Sequence, residues 1–232
     1  MEIIEKLRKN ILINVDKKYK EGSIRFFREP IKTHGVRTPV LRKIANKYFQ
    51  EIKHLNKKEI FKLCEQLLKS GYIDEINIAF WWLGKIQKRL DKSDFKILEK
   101  WLKTYINNWA NCDTFCTQSL GHFLYDFPEF VSQIKEWTKS NNRWVKRASS
   151  TVYIYGVKRG KFLKDIFETS DLLINDKDDM VQKGYGWTLK VAGDVFREDV
   201  NKYMLKRKHM PRVALRYAIE KYPQDMRTKI MK

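Results

Sequence analysis

Trp144-Val145-Lys146-Arg147-Ala148 and Met180-Val181-Gln182-Lys183-Gly184 are two similar stretches whose last residues stand 36 positions apart. The same step toward the N-terminus leads from Ala148 to Cys112, inside another helical pattern. A period of roughly 30 to 50 residues carried by helix pairs is typical of HEAT-like or armadillo-like solenoids. We therefore predict an all-α fold, a superhelical stack of antiparallel helix pairs (an α-solenoid) in which one helix of each pair lines a concave groove.

Helical periodicity runs through most of the chain and predicts about a dozen short helices. Ile60, Leu63, Cys64, Leu67 and Leu68 form one apolar stripe with a 3.6-residue period. Thr38-Pro39 predicts an N-cap followed by proline at the first helical position. Residues Thr151 to Tyr155 are rich in β-branched and aromatic side chains, so a short strand is left open as an alternative there. Expected breaks between helices are Gly35, Ser70-Gly71, Asn107-Asn108, Asn141-Asn142, Gly160 and Asn175-Asp176.

Length and composition limit the class of protein. The 232 residues, 43% of them hydrophobic, suffice for one domain over residues 1–232 with a sizeable core. Ten glycines and five prolines are too few for a collagenous or low-complexity chain. Three cysteines and an N-terminus without an apolar signal segment favour a reducing cytoplasm. The sequence contains no run of 18 apolar residues, so it predicts no membrane-spanning helix.

The charge is strongly positive, since 48 Lys and Arg against 28 Asp and Glu leave a net +20. Such an excess favours a polyanionic partner, and nucleic acid is the natural one because each neutralised phosphate releases counterions. The alternative is a lysine-rich surface that only keeps the protein in solution.

Three local patterns are candidates for chemistry. Trp109 and Asp113 are four residues apart and share a helix face, although a half-buried Trp beside a solvated Asp is the structural alternative. Arg147 lies near an expected helix start, where a compensating anion such as a phosphate is plausible. Gly184 and Gly186 lie inside a helical run, which indicates close approach of a ligand or of a neighbouring helix.

Other motifs point to no further chemistry. Cys112, Cys116 and His122 lack a fourth ligand and a CxxC pair, so we expect no metal. Phe80-Trp81-Trp82 is expected in the core. The chain has no P-loop and no dinucleotide fingerprint, and we expect no cofactor.

The combined patterns resemble the AlkD-type DNA alkylation repair glycosylases over nearly the whole chain. Gly35 to Arg42 resembles that family's G-[IV]-x-T-P-x-x-R stretch, and Phe127-Pro128-Glu129 and Val213 to Ile219 also resemble it. The resemblance implies HEAT-like repeats with a concave basic face that binds DNA. It also implies excision of positively charged N3- and N7-alkylated purines from duplex DNA, which leaves an abasic site.

The resemblance implies roles for individual residues. Trp109 and Trp187 match the aromatic pair that flanks the sugar of the lesion nucleotide, Asp113 the catalytic carboxylate, and Arg147 an arginine that supports the phosphate contacts. Phe26 or Phe27 matches an aromatic residue that faces the DNA. The chain departs from the usual pattern at Asn108, where a second Trp is common, and at Cys112, where an aliphatic residue is common.

These residues suit the implied reaction. A cationic alkylpurine leaves as a neutral base, so it needs no general acid, unlike ordinary glycoside hydrolysis. Positive charge develops on the deoxyribose instead, and a fixed carboxylate at Asp113 would stabilise that charge and position water. The indoles of Trp109 and Trp187 would add cation–π attraction, and Arg147 would hold the backbone.

We expect a basic footprint around this set, and its candidates beyond Arg147 include Lys146, Lys183, Lys190, Arg212, Arg37 and Arg42. The predicted partner is double-stranded DNA that contains alkylated purines, bound by a monomer without an obligate protein partner. One alternative is a non-catalytic HEAT-like module that binds distorted or branched DNA. A HEAT-like scaffold for proteins is another, although it does not need the +20 charge.

Overall fold

Helices make up most of the described chain, which comprises residues 2–207 and 209–231 of a computed structural model. Within those residues there is no β-strand, and a single isolated bridge joins Lys32 to Tyr72. The α-helices are α1 Glu2–Ile13, α2 Lys17–Phe26, α3 Thr38–Ile52, α4 Lys57–Lys69, α5 Ile73–Lys85, α6 Phe95–Tyr105, α7 Trp109–Phe115, α8 Gly121–Asp126, α9 Val131–Glu136, α10 Arg143–Thr151, α11 Ile154–Val157, α12 Leu163–Leu173, α13 Asp179–Val195, α14 Arg197–Leu205, α15 Arg212–Ala218 and α16 Gln224–Met231. The predicted all-α class is confirmed.

The helices stack in chain order as two rows. Helices α3, α5, α7, α10, α13 and α15 each contact the next, and we call this set the inner row. Helix α4 packs on α5, α6 and α9 on α10, α12 and α14 on α13, and α16 on α15, which gives an outer row. Helices α8 and α11 follow α7 and α10 closely and pack against each other. This arrangement is that of a helical repeat solenoid.

The 36-residue echo corresponds to successive helices of the inner row. Cys112 lies in α7, Ala148 in α10 and Gly184 in α13, and all three are buried. Gly184 makes room for Arg147, because a Cβ atom at this position would lie 3.0 Å from Cγ of Arg147 and would push that side chain aside. At Gly186 a Cβ atom would lie 2.6 Å from the carbonyl oxygen of Ala214 in α15. Both glycines therefore let neighbouring repeats approach closely.

Side-chain caps fix the start of three inner helices. The Asn108 carboxamide accepts a hydrogen bond from the Asn111 backbone N–H at 2.9 Å, at the start of α7. Asn142 does the same at α10, and Asp178 at α13. Such caps satisfy backbone N–H groups that have no partner within the helix. The side chains of the first turns of α7, α10 and α13 are thereby held in fixed directions.

The helix start at Thr38-Pro39 was predicted wrongly, and the short strand left open at residues 151 to 155 is absent. Helix α3 begins at Thr38 itself, so Pro39 takes the second helical position and Arg37 stands at the cap without a side-chain hydrogen bond. Residues 151 to 155 form no strand; they run from the last residue of α10 through a turn into α11. Burial explains this second difference, because Val152 and Tyr153 are fully buried among helices that leave no strand to pair with.

The core is one apolar cluster whose members range from Ile4 to Ile230. Phe80 and Trp82 are fully buried and Trp81 nearly so, which confirms the expected core position of this aromatic run. The Trp82 indole N–H donates to the carbonyl oxygen of Ala45 at 2.8 Å and ties α5 to α3. Within residues 2–207 and 209–231, no helix combines the length and the apolar character that crossing a bilayer requires.

Candidate functional site

Trp109 and Asp113 lie on one face of α7, as their spacing predicts. Trp109 is the first residue of the helix, directly after the Asn108 cap. The chain then continues through a π-helical turn, Cys116–Leu120, into α8. Isolated π turns of this kind occur often at functional sites because they rotate the side chains that follow them.

Arg147 binds the Asp113 carboxylate with two hydrogen bonds. Its Nε donates to Oδ1 at 2.8 Å and its Nη2 to Oδ2 at 2.9 Å, which is the bidentate geometry of a strong ion pair. Its Nη1 donates to the carbonyl oxygen of Met180 at 2.6 Å. The residue is only 5% exposed, whereas the Asp113 side chain keeps 16% of its surface open. The anion that compensates Arg147 is thus Asp113, and not a phosphate as the sequence suggested.

The two charges shift each other's pKa. Burial raises the pKa of the Asp113 carboxyl, and the hydrogen bonds and charge of Arg147 oppose the rise. Burial disfavours the Arg147 cation, but its bonds to Asp113 outweigh that effect and raise the pKa of the guanidinium. The arginine therefore stays charged and holds a carboxylate that is easier to protonate than an ordinary aspartate.

An aromatic cluster covers the start of α7. The ring of Phe27 stacks on Trp109 with centroids 5.3 Å apart, and Phe26 meets the same indole edge-on at 5.9 Å. Phe26 is 70% exposed, whereas Phe27 is half-buried. The two candidates left open by the sequence thus have different surroundings, with Phe27 against the indole and Phe26 toward solvent.

A cavity of about 400 Å³, which we call the central cavity, collects most of the predicted residues. It lies at the inner row, between α7, α10, α13 and α15, under the end of α2. Asp113 is the one carboxylate in its lining, and four cations accompany it. The lining residues are Phe26, Arg28, Trp109, Asp113, Arg147, Met180, Lys183, Trp187, Lys190 and Tyr217.

Further cavities continue on both sides of the central one. A cavity of about 640 Å³, the N-terminal cavity, shares Phe26 and Trp109 with it and reaches toward α3 and α5. Toward the C-terminus, a cavity of about 550 Å³ shares Lys183 and Tyr217 with it and contains Arg216 and Arg227. The inner row therefore carries a groove of adjoining cavities, whose lining holds eight cations and the three acidic residues Asp74, Asp113 and Glu220.

Comparison with known proteins agrees with the helical repeat fold. A family model for DNA alkylation repair enzymes matches residues 7–222. The chain belongs to the DNA alkylation repair enzyme family. A solved structure described as a predicted DNA alkylation repair enzyme from Enterococcus faecalis has a similar fold, with a TM-score of 0.80. It is 12% identical in sequence, and the match covers 91% of this chain and 98% of that one. A search of curated proteins found no matching sequence.

In this member of the DNA alkylation repair family, the three lysines predicted to contact DNA already form ion pairs with acidic residues of the protein. The Lys183 ammonium lies 2.9 Å from Asp179 and that of Lys190 lies 2.7 Å from Glu220. Lys146 lies 2.6 Å from Asp176 and is not part of the central cavity. Arg212 lines a separate cavity of about 580 Å³ between α15 and α16. The central cavity thus contains seven of the ten predicted site residues, without Phe27, Lys146 and Arg212.

Residues that sequence reasoning missed also line the central cavity of this alkylation repair family member. Arg28 follows the two phenylalanines and pairs with Asp179 in α13 at 3.2 Å, so the chain after α2 crosses to α13. Tyr217 lies in the Val213 to Ile219 run that the sequence marked, but its direction depends on how α15 packs. Met180 belongs to the 36-residue echo, but the sequence did not mark it as a site residue; in the structure its carbonyl oxygen accepts a hydrogen bond from Arg147.

The two cysteines near Asp113, Cys112 in α7 and Cys116 in the π turn, do not line the central cavity. Cys112 and Cys116 are fully buried. Across residues 2–207 and 209–231, no three His, Cys, Asp or Glu side chains are grouped closely enough to hold a metal ion.

Proposed function

We propose that this protein is an AlkD-type DNA glycosylase. It hydrolyses the N-glycosidic bond of positively charged N3- and N7-alkylated purines in duplex DNA and leaves an abasic site, without a cofactor or a metal. One observation carries the proposal: a carboxylate at Asp113, fixed by the buried Arg147, opens into a cavity that Trp109 and Trp187 also line.

The charge that develops in the reaction explains why an acidic residue belongs in a basic groove. The alkylated base departs as a neutral molecule, and the sugar becomes positively charged as the bond breaks. The Asp113 carboxylate stabilises that charge, and each of its oxygens keeps a lone pair beyond the one used by Arg147. One of those lone pairs can accept a hydrogen bond from the attacking water and then take up the proton that the water loses as it bonds to the sugar carbon. The indole faces of Trp109 and Trp187 add cation–π attraction.

Arg147 acts as a positioning residue in this proposal. A carboxylate on a rotatable side chain would have to be ordered during the reaction, at a cost in free energy. The two parallel hydrogen bonds from Arg147 fix the plane of the carboxylate beforehand, and the bond to Met180 fixes Arg147 in turn. Contact with DNA phosphates then falls to the exposed cations along the groove.

In this proposal the protein recognises the positive charge of the lesion and the sugar-phosphate backbone of the DNA. The cavities along the groove are open, so they do not enclose the edges of a base. Double-stranded DNA that contains alkylated purines is the proposed substrate. A single copy of the chain supplies the whole proposed site, so we propose that the protein acts as a monomer. We also propose that residues 1–232 form one domain and that the protein works in the cytoplasm.

The test is release of free base from a duplex that contains 7-methylguanine. The expected result is free 7-methylguanine and an intact strand with an alkali-labile abasic site, because the proposed reaction breaks only the glycosidic bond. Binding without release of base would instead favour a non-catalytic module that recognises distorted or branched DNA. A scaffold for proteins would show neither.

A further inference from the structure

Helix α2 belongs to neither row of the solenoid, and it is the least buried helix of the described chain. Every other α-helix within residues 2–207 and 209–231 has at least one buried residue, whereas α2 has none. The same holds for the wider segment, since no residue from 12 to 32 is buried. An element with so few buried contacts can separate from the core at a low cost in free energy.

The two ends of this segment are fixed close together. The Asp16 N–H, directly before α2, donates to the carbonyl oxygen of Gly35 at 2.9 Å. Near the other end, the buried Thr33 hydroxyl donates to the Asp74 carboxylate in α5 at 2.8 Å. Residues 17–31 therefore form a loop that is anchored near the starts of α3 and α5, in the N-terminal part of the solenoid. We call this loop the flap.

Three consecutive residues of the flap each contact the first residue of an inner helix. The pairs are Phe27 with Trp109 of α7, Arg28 with Asp179 of α13, and Glu29 with Arg143 of α10. The stacked rings have centroids 5.3 Å apart, and the ion pairs of Arg28 and Glu29 measure 3.2 and 3.1 Å. We call these three contacts the latch. Since Phe26 and Arg28 line the central cavity, the latched flap covers the side of that cavity where α7, α10 and α13 begin.

The ion pairs of the latch are weak. The Arg28 side chain is 75% exposed, and exposed ion pairs contribute little to stability. Glu29 Oε2 and Arg143 Nε are buried without a hydrogen-bond partner among the described residues. Such atoms are unfavourable, and release of the flap would expose both to water. The latch therefore holds the flap without locking it.

Release of the flap would leave neither inner helix with an unpaired charge. Asp179 still has Lys183 at 2.9 Å, one turn farther along α13. Arg143 still has Asp178 at 2.7 Å. The latched and the released arrangements are thus both electrostatically satisfied, which suits an element with two states of similar free energy.

We propose that the flap covers the central cavity in the free protein and swings away from α10 and α13 when a duplex binds. The inference rests on the proposed function only in taking duplex DNA as the partner. The cavity under the flap, about 400 Å³, lies within the range of small-molecule sites, whereas a lesion nucleotide arrives with its strand continuing on both sides. Phe27 also covers one face of the Trp109 indole, which the proposed cation–π contact would use. Opening is therefore part of binding, and the apparent affinity scales with the fraction of molecules whose flap is open.

A reversible tether tests the proposal. In Arg28→Cys/Asp179→Cys, a bismaleimide linker that contains a disulfide would join the flap to α13, and a reductant would cut it. The native cysteines are buried and so do not compete for the linker; they are Cys64, Cys112 and Cys116. We expect the tethered protein to bind an undamaged duplex at least about tenfold more weakly than the same protein after reduction. Equal affinity before and after reduction would overturn the proposal.

Two controls separate closure of the flap from the bulk and the chemistry of the linker. The same variant modified at both thiols with N-ethylmaleimide carries similar bulk without a tether and should bind like the reduced protein. Lys58→Cys/Lys62→Cys places the linker within α4 on the outer row, where both positions are exposed, and should bind equally well with and without it. If N-ethylmaleimide weakened binding as much as the tether does, bulk would be the cause and the proposal would fail.

Distances between spin labels measure the movement itself. Nitroxides at Glu21→Cys in α2 and Lys164→Cys in α12 would occupy exposed positions outside the latch. We expect the distance between them to lengthen when undamaged duplex saturates the protein, while the distance from Lys58→Cys to Lys164→Cys stays the same. An unchanged distance from α2 in the bound protein would overturn the proposal. Each experiment uses undamaged DNA, so an absence of base excision would leave these results readable.

Discussion

Asp113 is an acidic residue in a basic groove, and Arg147 makes that arrangement possible. A buried carboxylate without a partner would be protonated, because burial raises its pKa. A buried arginine without a partner would be more costly still. Together they form an ion pair with three directional hydrogen bonds, of which one reaches the Met180 backbone. The pair is therefore both a charge and a rigid support.

Loss of Arg147 should change the pH dependence of excision. The reaction needs an ionised Asp113, so the rate falls as the pH drops through the pKa of that carboxyl. Burial places this acid limb above the ordinary aspartate value of about 3.9. In Arg147→Met the opposing charge and hydrogen bonds are gone, so the limb should move to higher pH, and the maximal rate should fall by about 100-fold. Single-turnover excision of 7-methylguanine across a pH series measures both.

Arg147→Lys is the matched control, since it keeps the charge but cannot make the bidentate contact. Its acid limb should lie between those of the wild type and Arg147→Met. Thermal melting of each variant sets an assay temperature at which all three are folded. One common acid limb for the three proteins would contradict a role for Arg147 in setting the ionisation of Asp113.

At the level of elements, the cap of α7 sets the direction of both Trp109 and Asp113. Asn108 is buried and bonds the Asn111 backbone at 2.9 Å and the Asn111 side chain at 2.6 Å. Asn111 in turn donates to Asn77 in α5 at 3.2 Å. The start of α7 is thus tied to the preceding inner helix, which explains why an asparagine suits a position where a second tryptophan is common in AlkD-type enzymes.

Asn108→Ala should therefore lower the excision rate by more than the loss of folding stability alone can explain. Removal of an N-cap costs about 0.5 to 2 kcal/mol of unfolding free energy. Asn56→Ala, which removes the cap of the outer helix α4, should cost a similar amount. A displacement of about 1 Å at a reacting group can lower a rate by about 100-fold. We expect slow excision only in Asn108→Ala, as measured under single-turnover conditions beside chemical denaturation of both variants. Equal rates in the two variants would exclude this role for the α7 cap.

The sequence predicts elements better than the contacts between them. The spacing of Trp109 and Asp113 places them on one face because helix geometry is local. The bond between Asp113 and Arg147 depends on how α7 and α10 are aligned, and only the 36-residue echo hinted at it. Phe26 and Phe27 were indistinguishable because α2 ends at Phe26. The π turn after α7 left no mark in the sequence.

At the level of the whole molecule, the groove carries positive charge that its own acids only partly balance. The net charge of +20 predicted an anionic partner, and the structure adds that several predicted lysines are held by Asp or Glu. DNA would have to compete with those acids for the lysines. The distribution of ion pairs over the groove is a property of the packed molecule, which composition does not reveal.

The size and openness of the groove predict tolerance of bulky lesions. The central and N-terminal cavities, about 400 and 640 Å³, adjoin at Phe26 and Trp109, and Asp113 lines the central one. We expect the protein to release cationic purines with large N3 or N7 substituents as well as methylated ones. Chromatography of the bases freed from each duplex measures this. Release of methyl adducts only would contradict recognition through charge and backbone.

The central claim is that the Asp113 carboxylate stabilises the developing charge on the sugar. Its most direct test is single-turnover excision of 7-methylguanine by the wild type and Asp113→Asn, with duplex affinity measured for both. Asparagine still accepts a bond from Arg147 but carries no charge. We predict that the variant binds the duplex within about threefold of the wild type and excises at least about 100-fold more slowly. Equal excision rates, or binding without excision by either protein, would contradict the account.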